Sequence, residues 1–140
     1  MTMNRENLKE IYQKFNLDKD DIFMLKFGSI EKPIIKRCGI EKIQAQMKIE
    51  IQYKLEKISD DLKTCVVLGT GVIMTINPQN GQKTPSVGCQ SFGECSPANN
   101  KNEFPVCMAE KRCLSRIVIK MAGLASHGVY GEDEAMEFTK

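Results

Sequence analysis

Three basic side chains recur at every fourth position near the C-terminal end of the chain: Arg112, Arg116 and Lys120. On a helix, at about 100° per residue, this spacing places them in one stripe. Three neighbouring cations repel one another unless an anion lies close, and the planar guanidinium group of arginine suits phosphate. The spacing predicts a phosphate-binding stripe, with a solvated helix face as the alternative. Lys111 lies outside the stripe, either as a snorkelling lysine or as a groove residue.

A second group of basic residues occurs earlier in the chain and contains Lys32, Lys36, Arg37 and Lys42. These residues do not share one narrow helical stripe, so the group alone favours a solvated surface. Residues 26–48 hold six bases and two acids, whereas the last twenty residues hold one base and four acids, in a chain of net charge +2. A basic middle with an acidic tail is typical of a polyanion-binding surface, although local fluctuation on an ordinary surface gives the same pattern.

The other reactive side chains form no recognisable active site. Five residues separate Cys89 from Cys95 and Cys107 from Cys113, whereas zinc ligands are usually about two to four residues apart, so we expect small buried thiols. The one histidine, His127, has no nucleophile motif around it, and the acidic run at 132–134 lacks the alternating ligands of a calcium loop. We therefore expect no enzyme activity, no metal and no cofactor.

The elements that carry these residues follow from hydrophobic periodicity. Helical spacing predicts helices over 4–15, over 33–46 with Pro33 in its first turn, and over about 102–122 with Gly123 as its stop. Alternating or β-branched residues predict strands over 47–56, 64–76 and 84–92, with turns at 59–61 and at the Asn-Pro-Gln-Asn-Gly segment 77–81. Within these elements, Gly39 predicts a break or a tight packing contact, and Gly69 and Gly71 predict a bulge or a close backbone approach.

This order of elements predicts the α+β class: an antiparallel β-meander of three strands packed on a basic helix (a βββα core), with N-terminal helices. At 140 residues we expect a single domain over 1–140, with an N-terminal helical segment (1–30), a core (31–122) and an acidic tail (123–140). No run of about eighteen apolar residues and no signal peptide occur, so we expect a cytoplasmic protein with no membrane partner and with reduced thiols.

Three stretches carry a resemblance to a known family: FGECSPANN (92–100), FPVCMAEKRCLSR (104–116) and GVYGEDEA (128–135). They resemble small phage and prophage proteins of the single-strand annealing superfamily, which includes the Sak and Erf annealers and the eukaryotic annealing mediators. The similarity covers about residues 30–138, so that 31–122 is similar to the annealing core of that superfamily. The resemblance implies a β-meander packed on a helix with basic residues.

The resemblance also implies a function: binding of single-stranded DNA and annealing of complementary strands without ATP, in phage-type homologous recombination in the host cytoplasm. It implies a homo-oligomer, as a ring or a filament. For the acidic tail two roles stay open: competition for the basic groove, or recruitment of a host single-strand-binding protein as a further partner. Lys111, Arg112 and Arg116 match basic positions of the core helix, although the last two lie one residue further apart than in the eukaryotic relatives. We add Lys120 from the stripe, and Lys36 with Arg37 as an opposite wall.

Two other functions stay open on the sequence alone. The first is a phage accessory protein that binds and modulates a host protein, in which case the basic stripe would meet an acidic partner. The second, and the weaker, is a small metal-dependent nuclease that uses Glu94 and the acidic tail. With aromatic residues at 6% and no tryptophan, base stacking on protein rings is limited, so we expect DNA binding that depends mainly on phosphate and weakens with salt.

Overall fold

A computed structural model of the chain describes residues 5–98 and 104–134. Its helices are α1 (Arg5–Lys14), α2 (Arg37–Met47), α3 (Pro105–Met121) and a short 3₁₀ helix (Ala125–His127). Its strands are β1 (Ile22–Phe27), β2 (Ile30–Ile35), β3 (Ile49–Ile58), β4 (Cys65–Ile76), β5 (Lys83–Cys95) and β6 (Tyr130–Gly131). The predicted α+β class is confirmed.

The segment between α1 and α2 differs from the prediction, because residues 22–35 form an antiparallel hairpin of β1 and β2. Pro33, expected in the first turn of a helix, lies in β2 opposite Met24, and α2 begins only at Arg37. The β-branched Ile34 and Ile35 favour a strand, and both are fully buried there. A proline without an N–H is tolerated because β6 pairs with β2 only at Ile34 and Ile35, which leaves Pro33 beyond the reach of that strand.

The second sheet is antiparallel with the strand order β3-β4-β5. Its central strand pairs Gly69 with Tyr53 on one side and with Ser91 on the other. The predicted turn between β4 and β5 is confirmed: the Asn77 N–H donates to the carbonyl oxygen of Gln82 at 2.8 Å, and Gly81 has a φ of +70°. This sheet offers one face to α3.

Helix α3 lies across β4 and β5 at a distance that only glycine permits. A Cβ atom on Gly93 would lie 1.9 Å from the carbonyl oxygen of Ala109, and one on Gly69 would lie 2.3 Å from the Cys113 sulfur. Gly69 and Gly71 are therefore positions of close approach, and the β4–β5 register continues through them without a bulge. Gly39 has a similar role in α2, because a Cβ there would lie 2.6 Å from the Ile35 side chain.

The surroundings of α3 explain why its buried residues are not confined to one face. The helix packs on β4 and β5, on α2 and on β6, so it is buried on several sides. Leu114 and Val118 are buried, whereas Phe104 is 66% exposed before the first turn. Gly123, with a φ of +76°, follows the helix end as predicted.

The part of the tail that the structure describes continues from β6 into a 3₁₀ turn over 132–134. The rest of the predicted acidic tail, residues 135–140, lies outside the described residues. Among the helices within 5–98 and 104–134, none is both long enough and apolar enough to cross a membrane.

Candidate nucleic-acid interface

The predicted basic stripe of α3 lies beside β5, an edge strand of the second sheet. Arg112 is only 4% exposed, and its Nη1 donates a hydrogen bond to the Glu94 carbonyl oxygen at 2.8 Å. Lys120 is exposed, and its Nζ donates to the Ser91 hydroxyl at 3.3 Å. Exposure therefore increases along the stripe, from the buried Arg112 through the partly exposed Arg116 to the exposed Lys120.

Arg116 lies between two carboxylates. Its Nη1 and Nη2 donate to the two oxygens of Glu94 at 2.6 and 2.7 Å, and its Nη2 and Nε donate to Glu134. The hydrogen bonds from Arg116 lower the pKa of Glu94, and those to Glu94 and Glu134 raise the pKa of Arg116. Since these two acids neutralise its charge, Arg116 offers little attraction to a phosphate group in this conformation.

The same two arginines cap the outer edge of β5. Arg116 donates to the Phe92 carbonyl oxygen at 2.8 Å, and Arg112 donates to that of Glu94, two residues further along. Outward-facing carbonyl groups of an edge strand otherwise invite pairing with another chain. The four-residue spacing on the helix therefore matches the two-residue repeat of a strand edge, and this contact gives both arginines a structural role.

The acidic run of the tail packs against the start of α2 and against α3. A Glu132 oxygen accepts from the Arg37 backbone N–H at 2.6 Å, an Asp133 oxygen accepts from the Ser115 hydroxyl at 3.1 Å, and Glu134 binds Arg116. An acid at the first turn of a helix is stabilised by the exposed N–H groups there. The described part of the tail is therefore docked on the two basic elements.

The members of the second basic group, Lys32, Lys36, Arg37 and Lys42, also differ in whether other side chains of the protein bind them. Lys42 pairs with the buried Asp21 at 2.6 Å and with Asp18 at 3.5 Å, and the Nζ of Lys32 lies 5.2 Å from the centre of the Tyr130 ring. The Lys36 side chain is partly exposed and makes no ion pair within the described chain. Lys36 is thus the member of this group best placed to meet an external anion.

Arg37 combines exposure with an unused donor. Its side chain is 33% exposed and its Nε donates to Glu41 at 3.2 Å, whereas its Nη1 is buried and has no hydrogen-bond partner among the described residues. A buried N–H group without a partner costs free energy, commonly about 1–3 kcal/mol. Because Nη1 has almost no accessible surface, an external ligand would contact the exposed part of this guanidinium group.

Tyr53 lies near this guanidinium group and is not among the residues predicted from the sequence. Burial raises the pKa of Tyr53 to about 12, the Glu110 carboxylate adds to the rise, and Arg37 opposes it. β3, α3 and α2 therefore meet around a partly open surface at which Tyr53 is 38% exposed. The sequence signal that could have selected Tyr53 is an aromatic side chain on a strand, since bases stack on such rings where a basic groove holds the strand.

Lys111 is the basic residue of α3 that lies outside the stripe. It is half-buried, makes no ion pair with any residue that the structure describes, and lies about 160° around α3 from the sheet-facing Cys113. Ser115, one turn further along, binds Asp133, whose neighbour Glu132 binds the Arg37 backbone. Helices α2 and α3 pack against each other, and we call the three basic residues Lys36, Arg37 and Lys111 on these two helices the α2–α3 surface.

The acidic residues considered for a metal-dependent nuclease make other contacts, because Glu94 and Glu134 both bind Arg116. His127, the one histidine of the sequence, lies exposed in the 3₁₀ helix. Among the described residues, no three His, Cys, Asp or Glu side chains are grouped so that they could hold a metal ion. The four cysteines considered for a zinc site, Cys89, Cys95, Cys107 and Cys113, also lie in different environments, because Cys107 is exposed whereas Cys95 and Cys113 are buried.

Comparison with known proteins adds no family to this description. No protein-family model matches the chain, and no curated protein matches its sequence.

Proposed function

We propose that this protein binds single-stranded DNA and anneals complementary strands without ATP, in phage-type homologous recombination. Two features support the proposal together: the resemblance over 92–116 and 128–135, and an antiparallel sheet of β3, β4 and β5 followed by a helix that packs across it. The finer description of this region as an annealing-type βββα core belongs to the same proposal.

The observation that carries the proposal is the partly exposed guanidinium group of Arg37, beside Lys36 and with Lys111 on the neighbouring helix, because neither lysine forms an ion pair within the described chain. In our proposal the phosphate groups of the strand contact these three side chains, and Tyr53 stacks against a base. Arg112 and Arg116 support the fold beside this surface, and Lys120 contributes a more distant contact at the β5 edge.

Three cations make a weak site on their own, because each phosphate contact is screened by salt. Assembly of many copies along one strand would multiply these contacts without any new chemistry. We therefore include a ring or a filament of this chain in the proposal, together with a host single-strand-binding protein as a further partner. A strand held by its backbone keeps its bases available for pairing.

The test compares two double variants that lose the same charge. Lys36→Ala/Lys111→Ala removes two cations of the α2–α3 surface, and Lys63→Ala/Lys83→Ala removes two exposed cations from the turn before β4 and the start of β5. Fluorescence anisotropy with a labelled oligonucleotide, repeated over a series of salt concentrations, gives the affinity and its salt slope. Circular dichroism verifies that each variant is folded.

We expect the Lys36/Lys111 variant to bind roughly tenfold more weakly at low salt, and its salt slope to fall by about 1.4, or about 0.7 for each phosphate contact. The Lys63/Lys83 variant should keep most of the affinity. Arg37→Ala should also weaken binding, because the exposed part of Arg37 supplies a third cation to the α2–α3 surface. Equal losses in both double variants would show that only net charge matters and would contradict the site.

A second candidate function, binding to a host protein, is favoured by one observation. Phe92 is 53% exposed on the sheet face that points away from α3, beside the half-buried Leu68 of the central strand. An aromatic anchor on an apolar strand surface is a common feature of protein interfaces. A folded chain that binds no single-stranded DNA at low salt would favour this function over annealing.

A further inference from the structure

Two of the six cysteines lie directly opposite each other in the second sheet. The register pairs Cys65 with Cys95, which are the first residue of β4 and the last residue of β5. They therefore form the terminal pair of that ladder, and both are free thiols.

The side chains of Cys65 and Cys95 lie on the same face of the second sheet, the face that packs against α3. Cys65 and Cys95 pack with Val67 and Ala109 under the first half of α3, and the proximity of Cys95 contributes to the raised pKa of the Cys65 thiol, after burial. Residues directly opposite in an antiparallel ladder have Cα atoms about 4.5–5.5 Å apart. A disulfide needs Cα atoms about 4.4–6.8 Å apart, so the backbone already has the spacing for one.

We propose that Cys65 and Cys95 are a modification site, at which an oxidant such as hydrogen peroxide forms a reversible intramolecular disulfide. One thiolate attacks a peroxide oxygen, the O–O bond breaks, and a sulfenic acid and hydroxide result. The second thiol attacks that sulfur, the S–S bond forms, and water leaves. In total the two cysteines lose two electrons and two protons, and one peroxide becomes two waters.

The position of the pair gives the oxidant its access. Both thiols are buried in the closed structure, but ladder ends open locally far more often than ladder centres. Oxidation at this pair would then hold the ends of β4 and β5 together beneath α3. Cys38 and Cys107, in contrast, are exposed and oppose no cysteine in the sheet registers.

The direct test is a map of the disulfides in the native wild-type chain. The protein is treated with hydrogen peroxide, its remaining thiols are alkylated, and it is digested with trypsin without reduction. We expect the peptide 64–83 to be linked to the peptide 84–101 with the loss of two hydrogen atoms, and four of the six cysteines to be alkylated. Since 84–101 contains both Cys89 and Cys95, fragment ions assign the linked residue.

Thermal melting gives an independent measurement. Closing a loop of this length should raise the Tm by roughly 10 °C, and a reductant should reverse the rise. Cys65→Ser and Cys95→Ser should each abolish both the link and the rise, whereas Cys38→Ser/Cys107→Ser should keep them.

Two results would overturn the proposal without any variant. One is six alkylated cysteines after oxidation, even close to the melting temperature, where the ladder end is open. The other is a link from Cys65 to a cysteine other than Cys95.

Discussion

Replacement of Arg116 by alanine is the perturbation that best separates a structural role from a DNA-binding role for the basic stripe. The side chain is 24% exposed, pairs with Glu94 and Glu134, and donates to the Phe92 carbonyl oxygen. At this exposure each ion pair contributes roughly 0.5–1 kcal/mol. The hydrogen bond to the carbonyl contributes about 1 kcal/mol.

Arg116→Ala also leaves two carboxylates close together with no cation between them. We therefore expect the free energy of unfolding to fall by roughly 2–3 kcal/mol. Arg116→Lys should lose about half as much, because lysine keeps the charge but not the planar fork. Urea unfolding at pH 7, followed by far-ultraviolet circular dichroism, measures these differences.

The matched control is Lys111→Ala on the same helix, which should change the free energy of unfolding by less than about 0.5 kcal/mol because Lys111 has no ion pair within the described chain. The folded Arg116→Ala variant should bind single-stranded DNA within about twofold of wild type, since this charge is already neutralised. Unchanged stability together with a large loss of DNA affinity would refute the reasoning.

Two further predictions concern the fold around the site. Asp21→Asn should lower the free energy of unfolding by about 2 kcal/mol at pH 7. Burial raises the pKa of Asp21, but the hydrogen bonds from Lys42, Asp18 and Cys38 together with the charge of Lys42 outweigh burial and hold this pKa at about 2, below its ordinary 3.8. This stabilisation is complete above about pH 4 and is lost as the pH falls toward 2, so urea unfolding over a pH series should show the two chains converge, with the exposed Asp60→Asn as control. Gly93→Ala should lower the free energy of unfolding by about 3 kcal/mol, because its Cβ would lie 1.9 Å from the Ala109 carbonyl oxygen. Gly88→Ala in the same strand, where the nearest atom is 3.7 Å away, should be nearly neutral in the same unfolding measurement, and equal losses in the two variants would contradict the packing account.

Local chemistry made the second sheet predictable. The alternation in β3 and the Asn-Gly turn after β4 each specify a backbone conformation without help from the rest of the chain. The β1–β2 hairpin was not predictable in this way. Pro33 fits the first turn of a helix as well as the end of a short strand, and only the pairing of β2 with β1 and β6 decides between them.

The site shows the same division between local and long-range information. Helical spacing correctly places Arg112 and Arg116 on one side of α3. What faces that side is β5 and Glu134, which are contacts across 18 to 24 residues of chain, so no spacing rule could reveal them. The role proposed for Arg37 also depends on tertiary structure, because packing at the start of α2 decides which part of its guanidinium group is buried and which part is exposed.

The measurement that tests the central claim most directly is the annealing of two complementary labelled oligonucleotides by the wild-type chain, without ATP, at low and at moderate salt. We predict an accelerated reaction at low salt, a smaller acceleration at moderate salt, and a clear loss of acceleration in the Lys36→Ala/Lys111→Ala variant but not in Lys63→Ala/Lys83→Ala. No acceleration by folded wild-type protein at low salt would contradict the proposed function.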